Sequence, residues 1–180
     1  MVNIWKLFAT KKRFEMLEYI LDKEKISVEE SAKALNLSKG FTSQFLRVLE
    51  KEGLLRREGR KYIIDDSAVT RTLKTFINTA LLYEILVKYR KNWMESLGVY
   101  GSFALGENKE DSDVDIWVKV SKHPGEREVA RVERELSNEL GKRAHILLLT
   151  QERLNRLKKD DFIFYCELKN SIVIWGEGIE

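Results

Sequence analysis

Four residues in one short stretch have the types and spacing to do chemistry on a phosphate. The stretch runs from Gly98 to Val118 and reads GVYGSFALGENKEDSDVDIWV. An apolar run, Val99-Tyr100, ends in Gly101-Ser102. A polar loop, Phe103 to Ser112 with Gly106 as its pivot, then leads to Asp113-Val114-Asp115. Side chains alternate faces along a strand, so Asp113 and Asp115 share one face while Val114, Ile116 and Val118 take the other. Two carboxylates this close repel, and neither gains from burial. A divalent cation resolves the repulsion, since hard oxygen ligands suit Mg²⁺ and Mg²⁺ commonly brings substrate phosphates with it. Gly101 lets a backbone approach a phosphate closely, and Ser102 offers an N–H and a hydroxyl.

Gly-Ser, ten residues, then Asp-any-Asp resembles the signature of the DNA polymerase beta-like nucleotidyltransferases, in particular their minimal branch. The resemblance covers the chain from about Leu97 onward. It implies a mixed sheet with helices, an NTP substrate such as ATP, and Mg²⁺ or Mn²⁺ held by Asp113 and Asp115. It also implies that Gly101 and Ser102 grip the β- and γ-phosphates. Two departures stand out. Leu105 occupies the place of a basic residue before the second glycine. The family's third carboxylate belongs on the next strand, and in RAHILLLT the matching position is His145. Histidine serves as a general base near neutral pH but is a poor ligand for a hard cation. His145 is therefore a candidate catalytic residue, and a structural histidine is the alternative.

The elements that must position this site follow from periodicity. Pro124 opens a helix of Val129, Val132, Leu136 and Leu140 that Gly141 ends. A strand is expected at Arg143 to Leu149, helical segments at about Glu152 to Leu168, and a last strand at Ser171 to Trp175. Upstream, Ser67 to about Trp93 reads as one long helix. Its apolar positions include Val69, Leu73, Phe76, Ala80, Tyr83 and Val87, and also Ile77, Leu81 and Ile85. One buried face needs only a single stripe, so a second copy of the chain is expected against the other, with packing on the C-terminal domain the alternative.

The first third has a different character. Phe14, Leu17, Ile20 and Leu21 give Lys11 to Asp22 one buried helical face. Ser27 and Glu30 form a capping box for a second helix, and Ser38 caps a third that Gly53 stops. Leu54-Leu55 and Tyr62-Ile63-Ile64 read as a hairpin with Gly59 in its turn. The string LNLSKGFTSQFLRVLEKEGLLRREGRKYII is similar to that of bacterial and archaeal winged helix-turn-helix regulators. In that arrangement the third helix enters the major groove of double-stranded DNA. Lys39, Ser43, Gln44 and Arg47 then lie on its outward face, and Arg56, Arg57, Arg60 and Lys61 of the hairpin meet phosphates. A wing used only for protein contacts is the alternative.

The fold class is thus α+β, with a winged helix-turn-helix at 1–66, a linking helix at 67–96 and a nucleotidyltransferase domain at 97–180. The 180 residues carry a formal charge of +3, and all of the excess sits in residues 1–66. No apolar run approaches the ~18 residues that span a bilayer, and MVNIWKLFATKKRF lacks the core of a signal peptide. A single cysteine, Cys166, permits no internal disulfide. A cytoplasmic protein without membrane partners is expected. Abundant Lys, Arg and Glu beside only two Gln suit a thermophilic source. Two functions stay open. One is an enzyme that moves NMP from an NTP to a hydroxyl. The other is a nucleotide-sensing regulator, or an antitoxin-like protein with a helical protein partner, whose catalytic domain has degenerated.

Overall fold

A computed structural model describes residues 4–180. The first three residues of the stretch read as lacking a signal-peptide core lie outside the described residues. The chain forms two compact units, one up to Lys74 and one from Thr75 to Glu180.

In the first unit, α1 (Ile4–Phe8) precedes α2 (Lys11–Leu21), β1 (Lys25–Ser27), α3 (Val28–Ala34), α4 (Lys39–Lys51), β2 (Leu55–Glu58) and β3 (Lys61–Ile64). Short polar residues begin these helices, as expected at Ser27 and Ser38 and also at Thr10. Thr10, Ser27 and Ser38 each accept a hydrogen bond from the backbone N–H three residues on, satisfying donors that a helix start leaves bare. The Glu30 carboxylate also accepts from the Ser27 hydroxyl at 2.8 Å. Leu17, Ile20, Phe45, Leu46 and Leu49 close the core. The wing differs from the expected hairpin. β1 pairs antiparallel with β3, giving a three-stranded sheet in the order β1-β3-β2. Three residues between two helices carry too little periodicity to announce a strand, and pairing with β3 creates it.

The long helix α5 (Ala68–Leu86) ends earlier than its pattern suggests, in a 3₁₀ turn at Val87–Tyr89. No glycine or proline stops it. Trp93 and Met94 instead pack into the core of the second unit, and the chain must turn to deliver them. Then follow β4 (Ser96–Tyr100), α6 (Gly101–Leu105), β5 (Val114–Lys119), α7 (Glu126–Leu140), β6 (Ala144–Leu149), α8 (Gln151–Asp160), α9 (Phe162–Lys169) and β7 (Ile172–Trp175). Residues 103–105, expected in a loop, thus belong to α6. Pro124 lies just ahead of α7, whose N-cap is Gly125.

The four strands order as β6-β5-β4-β7. β5 runs parallel to β6 and antiparallel to β4, and β4 runs antiparallel to β7. Val114, Ile116 and Val118 enter a core with Leu82 and Leu86 of α5 and Val132 and Leu136 of α7. Trp117, on the opposite face, is fully buried with Leu154 of α8 and Tyr165 and Leu168 of α9. Its indole N–H donates to the Ser171 hydroxyl at 2.7 Å. Among the described residues, no helix is long and apolar enough to cross a membrane.

Two glycines give opposite stability predictions. A Cβ on Gly98 would sit 2.4 Å from the Trp117 ring and 2.6 Å from the Ile172 carbonyl oxygen. Gly98→Ala should therefore cost about 1–3 kcal/mol. Gly40, inside α4, has nothing within 4 Å of such a Cβ, so Gly40→Ala should add roughly 0.5–1 kcal/mol. Thermal unfolding of both variants checks the pair of signs.

Candidate functional site

Strand register assembles the centre of the second unit. Asp115 faces Tyr100 across the antiparallel ladder and His145 across the parallel one. The His145 Nε2 lies 3.2 Å from Asp113 Oδ2, with both side chains about two-fifths exposed, at 41% and 42%. Gly101 follows Tyr100 with φ +66, and a Cβ there would fall 2.7 Å from Asp115 Oδ2. An L side chain is disfavoured at this position twice over, by its backbone and by the carboxylate. Ser102 follows in α6, partly exposed. The structure therefore brings Gly101, Ser102, Asp113, Asp115 and His145 together, from elements spread over 45 residues of sequence.

The electrostatics are those of a carboxylate pair that His145 compensates only in part. Burial raises the Asp115 pKa above the usual carboxylate value, His145 lowers it and Asp113 raises it again. Burial pushes the Tyr100 phenol up to about 12, with help from the Asp115 and Glu167 charges. Among the described residues, no group of three or more His, Cys, Asp and Glu side chains is gathered to hold a metal ion. The donor set is thus two carboxylates, which fits a cation that takes its other ligands from phosphate oxygens and water. His145 occupies one face of Asp113 and supplies the only imidazole at the site among the described residues.

Several residues here had no role in the sequence reading. Tyr100 borders Asp115, a neighbour visible only once the β4–β5 register is known. Asn78 is buried in α5, where its amide donates to the Phe103 carbonyl at 3.1 Å and to Asn108 Oδ1 at 2.7 Å. An asparagine amid the apolar positions of α5 was the available signal. Lys142 places its ammonium 5.9 Å from the centre of the Phe103 ring, in the helix α6 where Leu105 leaves no basic residue.

In the first unit, Lys39, Gln44 and Arg47 are exposed along α4 and Ser43 is half-buried, while Thr42, Phe45, Leu46 and Leu49 face inward. Arg56, Arg57, Arg60 and Lys61 are exposed on β2, the turn and β3. Acidic neighbours temper this surface. Lys39 pairs with Glu29 at 2.7 Å, which lowers the Glu29 pKa, and Lys25 pairs with Glu58 at 3.3 Å.

Comparison with known proteins agrees with this division. Residues 82–169 match the family described as nucleotidyltransferase domain. Residues 10–57 match the bacterial regulatory proteins of the arsR family. The chain thus carries an arsR-type helix-turn-helix followed by a nucleotidyltransferase domain. Among solved structures, it is similar to a chain of the complex of tri-AMPylated Shewanella oneidensis HEPN toxin with MNT antitoxin. That likeness has 12% identity and a TM-score of 0.38, covering 57% of this chain and 73% of that one. No curated protein matches the chain.

The Gly101–Asp115 contact yields a double-mutant prediction. Gly101→Ala should cost about 1–3 kcal/mol from its backbone and the crowded carboxylate. In an Asp115→Ala background the crowding is gone and the cost should shrink. Thermal unfolding of the four proteins measures the coupling, and strictly additive penalties would show that the contact is absent.

Proposed function

We propose that the chain is a divalent-metal-dependent nucleotidyltransferase that moves a nucleoside monophosphate from an NTP, ATP for preference, to a hydroxyl. It does so while bound to double-stranded DNA in the cytoplasm. The DNA-binding part is residues 1–66, the linking part 67–96 and the catalytic part 97–180. The observation that carries this reading is the Asp115 carboxylate lying where a Gly101 side chain would be, which joins the Gly-Ser turn to the acid pair.

Asp113 and Asp115 would hold Mg²⁺ or Mn²⁺, and the cation would offset charge on the entering and leaving oxygens of the α-phosphate. The Ser102 hydroxyl and N–H bind the β- and γ-phosphates. The acceptor oxygen attacks the α-phosphorus, the bond to the bridging oxygen breaks, and pyrophosphate leaves. His145 takes the acceptor's proton after its ring leaves Asp113, the carboxylate to which its Nε2 donates in the structure. Lys39, Ser43, Gln44 and Arg47 approach base edges, and Arg56, Arg57, Arg60 and Lys61 approach phosphates. A second copy of the chain pairs through α5 and the 3₁₀ turn that follows it, where Tyr83 and Val87 are 54% and 39% exposed.

One observation favours a second reading, a nucleotide-sensing regulator or antitoxin-like protein with a helical protein partner. A histidine, rather than a third acid, faces Asp113 at 3.2 Å. Labelled ATP with Mg²⁺, scored for covalent label and pyrophosphate, separates the two. The enzyme reading predicts label with wild type and a fall of about 100-fold or more in Asp113→Asn/Asp115→Asn, the scale of lost transition-state electrostatics. Label absent from wild type but present with His145→Asp would establish the regulator.

The DNA prediction is independent of catalysis. Duplex affinity should fall with salt as neutralised phosphates release counterions. Arg56→Ala/Arg57→Ala should weaken binding on every sequence alike and reduce the salt slope by about 2. Titrations at several salt concentrations measure both, and wild type that binds no duplex at low salt would leave a protein-contact module.

A further inference from the structure

We propose that Thr75 and Asn78 of α5 are positioning residues that clamp α6 and so hold Gly101-Ser102 in register with Asp115 for nucleotide binding. The proposal deepens the nucleotidyltransferase reading and rests on it. α6 is only five residues long and ends at Gly106, in the left-handed conformation with φ 70. A helix end leaves its last carbonyls without intrahelical donors. The Gly106 and Glu107 N–H groups both return to the Ser102 carbonyl, so they do not serve those of Phe103 and Ala104. α5 does. The Asn78 amide donates to Phe103 O at 3.1 Å, and the Thr75 hydroxyl donates to Ala104 O at 3.2 Å.

The Asn78 amide nitrogen has two hydrogens, and both are used. The second goes to Asn108 Oδ1 at 2.7 Å. Asn78 and Asn108 are 8% and 1% exposed, so water has little access to replace either bond. One side chain therefore ties the end of α6 to the loop that leads to Asp113. Five residues of helix cannot hold their own orientation. The apolar anchor is small, since Phe103 is buried while Leu105 is 58% exposed. The polar clamp fixes the rotation of α6 about its axis, and with it the direction of the Ser102 hydroxyl and the approach of Gly101 to Asp115. Asparagine suits this position because aspartate would turn acceptor oxygens toward two other acceptors.

The test uses the full chain and two variants of similar shape, Asn78→Leu and Thr75→Val. Mg·ATP binding is measured by calorimetry, and amide hydrogen exchange is followed by mass spectrometry. The expected result is about a tenfold loss of Mg·ATP affinity in Asn78→Leu, the size that an outer hydrogen-bond partner of a site carries, and a smaller loss in Thr75→Val. Faster exchange should be confined to residues 101–108, with the strands around Asp115 protected as in wild type. A merely structural role would raise exchange throughout the second unit without singling out that segment. Wild-type affinity in both variants overturns the proposal, as does an affinity loss with exchange raised evenly across the unit. If Asn78→Leu fails to fold, Thr75→Val decides, and unchanged affinity there overturns it. Wild-type protein that takes up no Mg·ATP overturns the nucleotide reading itself, and this proposal with it.

Discussion

The pairing of β5 between an antiparallel and a parallel neighbour is the constraint on which the rest of the second unit depends. It lays Tyr100, Asp115 and His145 in one row across three strands. Sheet geometry then does what no local sequence could, bringing a histidine 30 residues downstream beside the acid pair. The same pairing divides the faces. One carries Val114, Ile116 and Val118 into the main core, and the other carries the aspartates and then Trp117 under α8 and α9. A slip of one residue would exchange these faces and bury carboxylates among Leu and Val. The apolar burial that stabilises the sheet is thus also what keeps the acid pair exposed enough to meet a ligand.

Charge at the site is poised rather than balanced. Asp115 is held above its usual pKa chiefly by burial, with Asp113 adding to the effect and His145 opposing it. A cation arriving with phosphates would relieve both unfavourable causes together. The His145–Asp113 contact at 3.2 Å meets part of that need through the protein itself. Competition of this imidazole with a metal for Asp113 would separate the enzyme reading from the sensor reading in physical terms.

The acid pair and its strand were legible in the sequence because a period of two, an acid-apolar alternation and a Gly-Ser turn all pointed the same way. The helix caps at Ser27 and Ser38 were legible for the same reason, since a side-chain acceptor and a helix start lie within three residues. What was not legible depended on contacts remote in sequence. β1 exists because β3 lies beside it. α5 stops at Leu86 because Trp93 and Met94 are needed in the core. The α6 clamp joins residues 25 to 30 positions apart, and no local pattern links Asn78 to Phe103 or Asn108. His145 was found only because a resemblance supplied the strand on which to search.

The most direct measurement is a crystal structure of the protein with Mg²⁺ and a non-hydrolysable ATP analogue. The account predicts a cation bonded to Asp113 and Asp115, sharing oxygens with a triphosphate whose outer phosphates reach the Ser102 hydroxyl and N–H, with His145 drawn off Asp113. A triphosphate bound elsewhere, or an acid pair that keeps its His145 contact and takes no cation at saturating analogue, would contradict it.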